Sequence, residues 1–140
     1  MSPGKKILAI DYGKRNIGLA YSDELGLTVQ PLRSIGNPGR SHFVKKLRAL
    51  VREMEIERVV IGMPVNMDGS QGDAFAGMQQ LKTLLEEALE VPVSGVDERL
   101  TTIEALELWH RMGPRRQKKY RTSDSVAAAL ILERYLGETS

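Results

Sequence analysis

The sequence predicts a single α/β domain, residues 1–140, built on a mixed β-sheet. Two short apolar runs, residues 7–11 and 58–62, end at an acid or a glycine, and runs of this length are typical of buried strands. Between such runs, longer segments repeat apolar residues at helical spacing. At 140 residues with no cysteine, the chain is long enough for one core and too short for two.

The sequence of the N-terminal third predicts three strands, at residues 7–11, 16–22 and 27–35. The short corner at Gly13, Lys14 and Arg15 favours an antiparallel hairpin between the first two. Pro31 lacks a backbone donor, which favours an edge position for the third strand.

The rest of the chain predicts alternating helices and strands. Such alternation is typical of parallel strands in the middle of a sheet with helices on both faces. The predicted elements are a helix capped by Ser41, a strand at 58–62, a helix at 75–88, a strand at 93–96, a helix opened by a Thr101 and Glu104 capping box, and a last helix from residue 124 to about 136, capped by Thr122 or Ser123.

Composition excludes several classes of site. Without cysteine there are no disulfides, thiolate metal sites or cysteine nucleophiles. No stretch resembles a signal peptide or a bilayer span, so we expect a cytoplasmic protein without membrane contact. The net charge of +2 is mild, but residues 115–121 form a dense basic cluster around Tyr120.

Acidic residues follow two of the predicted strands and open the last helix. Asp11 ends the first strand, Asp97 and Glu98 end the last, and Asp124 begins the helix. Asp11 alone could simply cap the following turn. However, the carboxyl ends of neighbouring parallel strands form one rim where ligands bind, so these acids are expected to meet there.

Carboxylates held close together repel one another unless a cation neutralises them. An all-oxygen set of ligands suits Mg²⁺ or Mn²⁺, and two such ions can support phosphodiester hydrolysis. The carboxylates therefore predict a metal-dependent nuclease. A P-loop is excluded because Leu19 and Ala20 stand where Lys and Ser or Thr are needed.

Four blocks of the sequence resemble the YqgF or RuvX family of bacterial resolvases and nucleases, which have the ribonuclease-H-like fold. The match runs through the whole chain in order. The blocks are Asp11-Tyr12-Gly13 through Ser22-Asp23, Val60-Ile61-Gly62-Met63-Pro64 with Asn66-Met67-Asp68-Gly69-Ser70, Asp97-Glu98-Arg99-Leu100-Thr101-Thr102, and Asp124-Ser125-Val126-Ala127-Ala128 with Ile131-Leu132.

The resemblance implies a five-stranded sheet and an acidic triad that binds divalent metal. Asp11, Glu98 and Asp124 are the expected catalytic and metal-binding residues, with Asp97 as the alternative to Glu98. Strand alternation places these adjacent acids on opposite faces, so only one should enter the site. The family is associated with maturation of the small-subunit ribosomal RNA precursor and, by similarity to other resolvases, with four-way DNA junctions.

A nuclease must also hold a polyanion, and basic residues provide salt-sensitive affinity for it. The glycine-rich segment 63–73 is expected to be a substrate loop through Asn66, Asp68 and Ser70, and Tyr120 could stack on an unpaired base. Arg99 could contact phosphate or pair with Asp97. The predicted nucleic-acid-binding residues are Lys14, Arg15, Arg99, Arg115, Arg116, Lys118, Lys119 and Tyr120.

Three alternatives remain open on the sequence. The substrate could be structured RNA in ribosomal precursor particles or branched DNA such as a Holliday junction. The chain could also be a binding module of ribosome assembly without turnover, or an ATPase of the actin and sugar-kinase class, which shares the fold. The last is disfavoured because those proteins close two such domains over a nucleotide. Both a monomer and a homodimer are compatible with the sequence.

Overall fold

A computed structural model describes residues 6–23, 28–99, 101–120 and 122–139, with the backbone alone for residues 101, 102, 119, 138 and 139. Five strands form one sheet in the order β3-β2-β1-β4-β5. The strands are β1 (Ile7–Tyr12), β2 (Asn16–Ser22), β3 (Val29–Gly36), β4 (Arg58–Met63) and β5 (Val93–Asp97).

Strand directions agree with the prediction. β1, β2 and β3 pair antiparallel, while β4 pairs parallel with both β1 and β5. β3 with Pro31 lies at the edge, as expected. The predicted start of this strand at residue 27 lies outside the described residues. The carboxyl ends of β1, β4 and β5 lie at one edge of the sheet, which we call the carboxyl rim.

Helices cover both faces of this sheet, as predicted. They are α1 (Arg40–Glu53), α2 (Asp73–Ala88), α3 (Thr101–Arg111), α4 (Pro114–Tyr120) and α5 (Ser123–Thr139). Leu8, Ile10 and Ile61 face the core under α1 and α2, whereas Ala9 and Val60 face α5. In the part of the chain that the structure describes, no helix has both the length and the apolar character needed to cross a membrane.

The predicted cap of α1 is wrong, and one helix was not predicted. α1 begins after Gly39 rather than being capped by Ser41, because Gly39 turns the chain at φ 95° and its carbonyl accepts from the Phe43 amide at 2.9 Å. The basic cluster, for which no helix was predicted, forms α4, with Pro114 as its first residue, where the missing amide costs nothing.

The start of α5 agrees with the prediction, which allowed Thr122 or Ser123 as its cap. The Thr122 hydroxyl accepts from the Ser125 amide at 3.3 Å, so Thr122 is the capping residue. Ser125 is buried and donates to the Leu32 carbonyl at 2.8 Å, which fixes the first turn of α5 against β3.

Candidate active site

Asp11 lies between two glycines in a row that crosses the sheet near the carboxyl rim. Gly18 of β2 is its partner in the β1–β2 ladder. On the other side, Gly62 of β4 comes one residue after Ile61, which pairs with Ile10. Because neither glycine has a side chain, the sheet is open on both sides of Asp11.

The other two acids of the predicted triad lie over these glycines. A Cβ at Gly62 would be 2.5 Å from Oε2 of Glu98, and a Cβ at Gly18 would be 2.0 Å from the backbone oxygen of Asp124 and 3.1 Å from its Cβ. Glu98 and Asp124 can therefore approach Asp11 only because these two positions are glycine.

Strand alternation separates Glu98 from Asp97. Asp11 continues the face of Ile7 and Ala9, which pack toward α5, and Glu98 continues the face of Val96, which packs toward the same helix. Asp97 falls on the opposite parity and its carboxylate pairs with Arg99. The structure thus brings Glu98, and not Asp97, to Asp11.

Asp11 and Glu98 form a hydrogen-bonded carboxyl pair. Burial raises the pKa of Glu98 to about 8, aided by the nearby Asp11 charge and by the hydrogen bond that the protonated Glu98 donates to Asp11. Burial likewise raises the pKa of Asp11, although the bond from Glu98 opposes this, and the charge of Asp124 raises it further. Near neutral pH the pair holds a proton.

A divalent cation fits this donor set. The ligating atoms available are carboxylate oxygens, which hard cations prefer, and a cation would replace the shared proton of the pair. Asp124 is close enough to act on Asp11 electrostatically. Among the described residues, however, no three Asp, Glu or His side chains already lie at the spacing that one metal ion requires.

Asp97 and Arg99 form a second, separate arrangement on the rim. Arg99 donates from its backbone amide to Oδ1 of Asp97 at 2.8 Å and from Nε to Oδ2 at 3.0 Å. Of the two roles considered for Arg99, the pairing with Asp97 is therefore the one observed. These hydrogen bonds from Arg99, together with its charge, hold the pKa of Asp97 below its ordinary value despite the opposing effect of burial.

Two of the predicted nucleic-acid-binding residues, Lys14 and Arg15, lie on the rim beside Asp11. They form the exposed corner between β1 and β2. Asn37 holds this corner: its amide donates to the Arg15 carbonyl at 2.7 Å and its side chain to the Gly13 carbonyl at 2.8 Å. Sequence reasoning did not single out Asn37, whose role depends on a contact 24 residues away.

The predicted basic cluster lies on α4, which leads into Asp124. Arg115, Arg116 and Lys118 are exposed, whereas the side chain of Lys119 lies outside the described residues, as does residue 121. Tyr120 is half-buried and packs against apolar residues of α5. Part of its ring is therefore occupied by packing, and its role in stacking on an unpaired base stays a prediction.

The predicted substrate residues Asn66, Asp68 and Ser70 are exposed in the loop between β4 and α2. Sequence reasoning missed Arg134 of α5, which donates a hydrogen bond to the Asp97 carbonyl and lies 3.9 Å from Glu104. This contact fixes the peptide from which Glu98 projects. An arginine within the apolar sequence of α5 was the available signal.

Comparison with known proteins gives relatives over nearly the whole chain. Proteins of Synechococcus sp. (strain PCC 6301) and Syntrophus aciditrophicus, each named "Putative pre-16S rRNA nuclease", are both 40% identical to it. The alignments cover 94% of this chain and 88% of the first relative, and 96% of this chain and 90% of the second.

Solved structures show the same fold at low identity. The Fowlpox virus resolvase in complex with Holliday junction DNA aligns with a TM-score of 0.59 at 11% identity, over 96% of this chain and 98% of that one. RuvC of T. thermophilus in complex with its Holliday junction substrate aligns with a TM-score of 0.58 at 15% identity, over 97% of each chain.

A protein-family model also matches this chain. The model described as "RuvX: Holliday junction resolvase" matches residues 5–138, which include all three acids of the site. With this match and the 40% identical relatives, the chain belongs to the RuvX family and has the ribonuclease-H-like fold of the resolvases.

Proposed function

We propose that this chain is a divalent-metal-dependent nuclease that hydrolyses phosphodiester bonds in the precursor of small-subunit ribosomal RNA. The observation that carries the proposal is the carboxyl pair of Asp11 and Glu98, half-buried on the carboxyl rim with Asp124 beside it. The names of the relatives supply the RNA substrate. We further propose that residues 1–140 act as one domain, as a monomer or a homodimer, on precursor particles in the cytoplasm.

In this proposal Asp11, Glu98 and Asp124 hold one or two Mg²⁺ or Mn²⁺ ions. Nucleases of this fold generally use divalent metals, and such ions, when bound, polarise the scissile phosphate and lower the pKa of a water. The protein's own contribution is geometric. β1 fixes the position of Asp11. The side chain of Glu98 lies over Gly62, and the first turn of α5 holds Asp124 over Gly18.

The cations of the rim bind the substrate backbone in this proposal. Lys14 and Arg15 lie a few residues beyond Asp11, and α4 presents its basic residues just before Asp124. Contacts of this kind position the phosphates without reading the base sequence. In this proposal, the corner between β1 and β2 and the helix α4 together orient a strand of nucleic acid across the acids.

A second candidate is cleavage of four-way DNA junctions, which the description of the matching family model favours. The acids would serve both reactions in the same way, so the substrates must be compared directly. A third candidate is a binding module without turnover. The observation in its favour is that the described acids do not already form a three-ligand metal site.

The test measures cleavage of a labelled ribosomal RNA precursor and of a synthetic four-way DNA junction, with Mg²⁺ or Mn²⁺. Asp11→Asn and Glu98→Gln preserve side-chain size and remove one ligand charge each. We expect each to lower the cleavage rate of the preferred substrate about 100-fold or more, because a ligand of the reacting centre is lost.

Glu90→Gln is the matched control. It makes the same chemical change as Glu98→Gln at an exposed position before β5, where Glu90 contacts only Arg52 at 3.8 Å among the salt bridges described. Its activity should equal that of the wild type. Equal activity of Asp11→Asn and the wild type would refute the catalytic assignment, and metal-independent binding without cleavage of either substrate would favour the module.

A further inference from the structure

The loop between β4 and α2, residues 64–72, has a defined shape, and we call it the rim loop. The amide of Asn66 donates to the Ser70 carbonyl at 2.9 Å, and the amide of Gly69 donates back to the Asn66 carbonyl at 2.8 Å. Asp68 accepts from the amide and the hydroxyl of Ser70 at 2.9 and 2.6 Å. The tip of the loop is therefore a closed turn held by its own polar groups.

Arg99 connects this turn to the carboxyl rim. Its guanidinium pairs with Asp97 at 2.9 Å, and Nη1 donates to the Met67 carbonyl at a longer 3.5 Å. The hydrogen bonds from Ser70 lower the pKa of Asp68, and the charge of Arg99 acts in the same direction. Because the rim loop follows β4, which lies between β1 and β5, this contact is made at the carboxyl rim.

Met67 is the most exposed of the large apolar side chains that the structure describes, at 66%. A single exposed apolar residue on a protein surface is ordinary. Met67 differs from Leu84, which is exposed on α2, because it lies at the tip of a closed polar turn that contacts Arg99 at the carboxyl rim. A surface that only held phosphates would gain nothing from an apolar side chain there.

We propose that Met67 is an apolar wedge that inserts between bases of the nucleic-acid substrate where stacking is already broken, as at a bulge or a branch. This inference rests on the proposed function. An unbranched, flexible thioether side chain can enter such a step, and methionine is among the residues that do so in nucleic-acid complexes. Separating bases costs least where they are unpaired, so the wedge favours irregular substrates over a continuous duplex.

The Asp97–Arg99 pair has a role in this picture that is distinct from metal binding. It holds the rim loop against the end of β5, so that the backbone at Met67 is fixed. A side chain inserted from a fixed turn loses less conformational freedom on binding than one on an unrestrained loop. The pair is therefore the support of the wedge.

The experiment measures binding without catalysis, in EDTA, to two RNA duplexes of equal length and flanking sequence. One duplex is continuous and the other carries a central bulge with 2-aminopurine next to it. The wild type should prefer the bulged duplex and increase the 2-aminopurine fluorescence on binding, because the probe base becomes unstacked. Met67→Ala should lose about fivefold or more of that preference and most of the fluorescence change.

Two further variants control this result. Met67→Leu keeps an apolar side chain of similar size and should retain the preference. Leu84→Ala removes another exposed apolar side chain, 43% exposed, from α2 and should have no effect. Since Met67 and Leu84 are exposed, thermal unfolding of each variant should match the wild type.

Equal weakening of both duplexes by Met67→Ala, or no fluorescence change with the wild type, would overturn the wedge. These outcomes are separable from failure of the proposed function. Cleavage by the wild type with no bulge preference removes only the wedge, whereas a bulge preference without any cleavage removes only the nuclease.

Discussion

Glu98 and Asp97 are adjacent, yet they contribute to different structures. Glu98 lies over Gly62 and bonds to Asp11, whereas Asp97 lies on the other face and holds Arg99. The sequence predicts that only one of them faces Asp11, by strand alternation. It cannot say which, because the choice depends on the face of β5 that packs on α5.

The shared proton of the carboxyl pair predicts a pH dependence of stability. In the unfolded chain Glu98 ionises near its ordinary pKa of 4.5, whereas in the fold its pKa is about 8. As the pH rises, the unfolded chain loses this proton first. The contribution is fully present below about pH 4.5 and is lost as the pH approaches and passes about 8.

We therefore expect the metal-free protein to unfold at a lower temperature at about pH 8 than at about pH 5. A loss of about 1 kcal/mol, discounted for partial exposure of the carboxyl, corresponds to roughly 3 °C. Glu98→Gln should flatten the profile, because its amide does not titrate. Calorimetry of both proteins across this range measures the effect, and parallel profiles would show that Glu98 is not the group responsible.

At the scale of the strand, the glycines of β2 and β4 set the width of the site. A Cβ at Gly62 would lie 2.5 Å from Glu98 Oε2 and 2.7 Å from Ile131 Cδ1, so one of these groups must move. The sequence shows the glycines but not what lies over them. That depends on β4 lying beside β1 and on α5 crossing both strands.

Gly62→Ala should therefore weaken Mn²⁺ binding about tenfold or more, which is about 1.4 kcal/mol, because Glu98 is displaced from Asp11. Titration calorimetry measures the affinity. Gly95→Ala is the matched control, since its Cβ would lie 2.8 Å from Cγ of Met63 on the opposite face.

Both variants are crowded and should unfold at lower temperature than the wild type, but Gly95→Ala should keep its Mn²⁺ affinity within about twofold. If the two variants lost affinity equally, general destabilisation would explain the result, and the placement of Glu98 by Gly62 would be refuted.

The helices show where local patterns were sufficient and where they were not. α1 and α2 were predictable because their apolar residues, such as Phe43 and Leu81, recur at helical spacing and are buried. α4 was not, since its short basic sequence has no apolar period. It packs through Tyr120, which lies against α5 and α3, and that contact is visible only in the fold.

At the scale of the whole molecule, the order of elements determines where the chemistry lies. The N-terminal strands are joined by hairpins and the later strands by crossover connections, so β1, β4 and β5 end on one rim. Asp11 and Glu98 therefore meet although they are far apart in sequence. This much was predictable from alternation alone. The carboxyl contact itself depends on loop and helix packing that no local pattern encodes.

Two helices carry groups of basic residues that differ in their position relative to this rim. α4 carries four cations just before Asp124, and α1 carries four more on its solvent face, on the side of the sheet away from α5. If a polyanion crosses the acids, only the first group contacts it. The two groups carry equal charge, so net charge alone cannot distinguish their effects.

Replacing Arg115, Arg116, Lys118 and Lys119 with glutamine should weaken nucleic-acid binding and reduce its dependence on salt, because fewer counterions are released. Each lost phosphate contact should lower the slope of log K against log salt by roughly 0.7 to 0.9. The matched control replaces Lys45, Lys46, Arg48 and Arg52 of α1, which changes net charge equally and should leave the slope unchanged. A reduced slope in the α1 control and not in the α4 variant would place the binding surface on α1. Equal reductions in both would show that binding depends on net charge and not on where the cations lie relative to the rim.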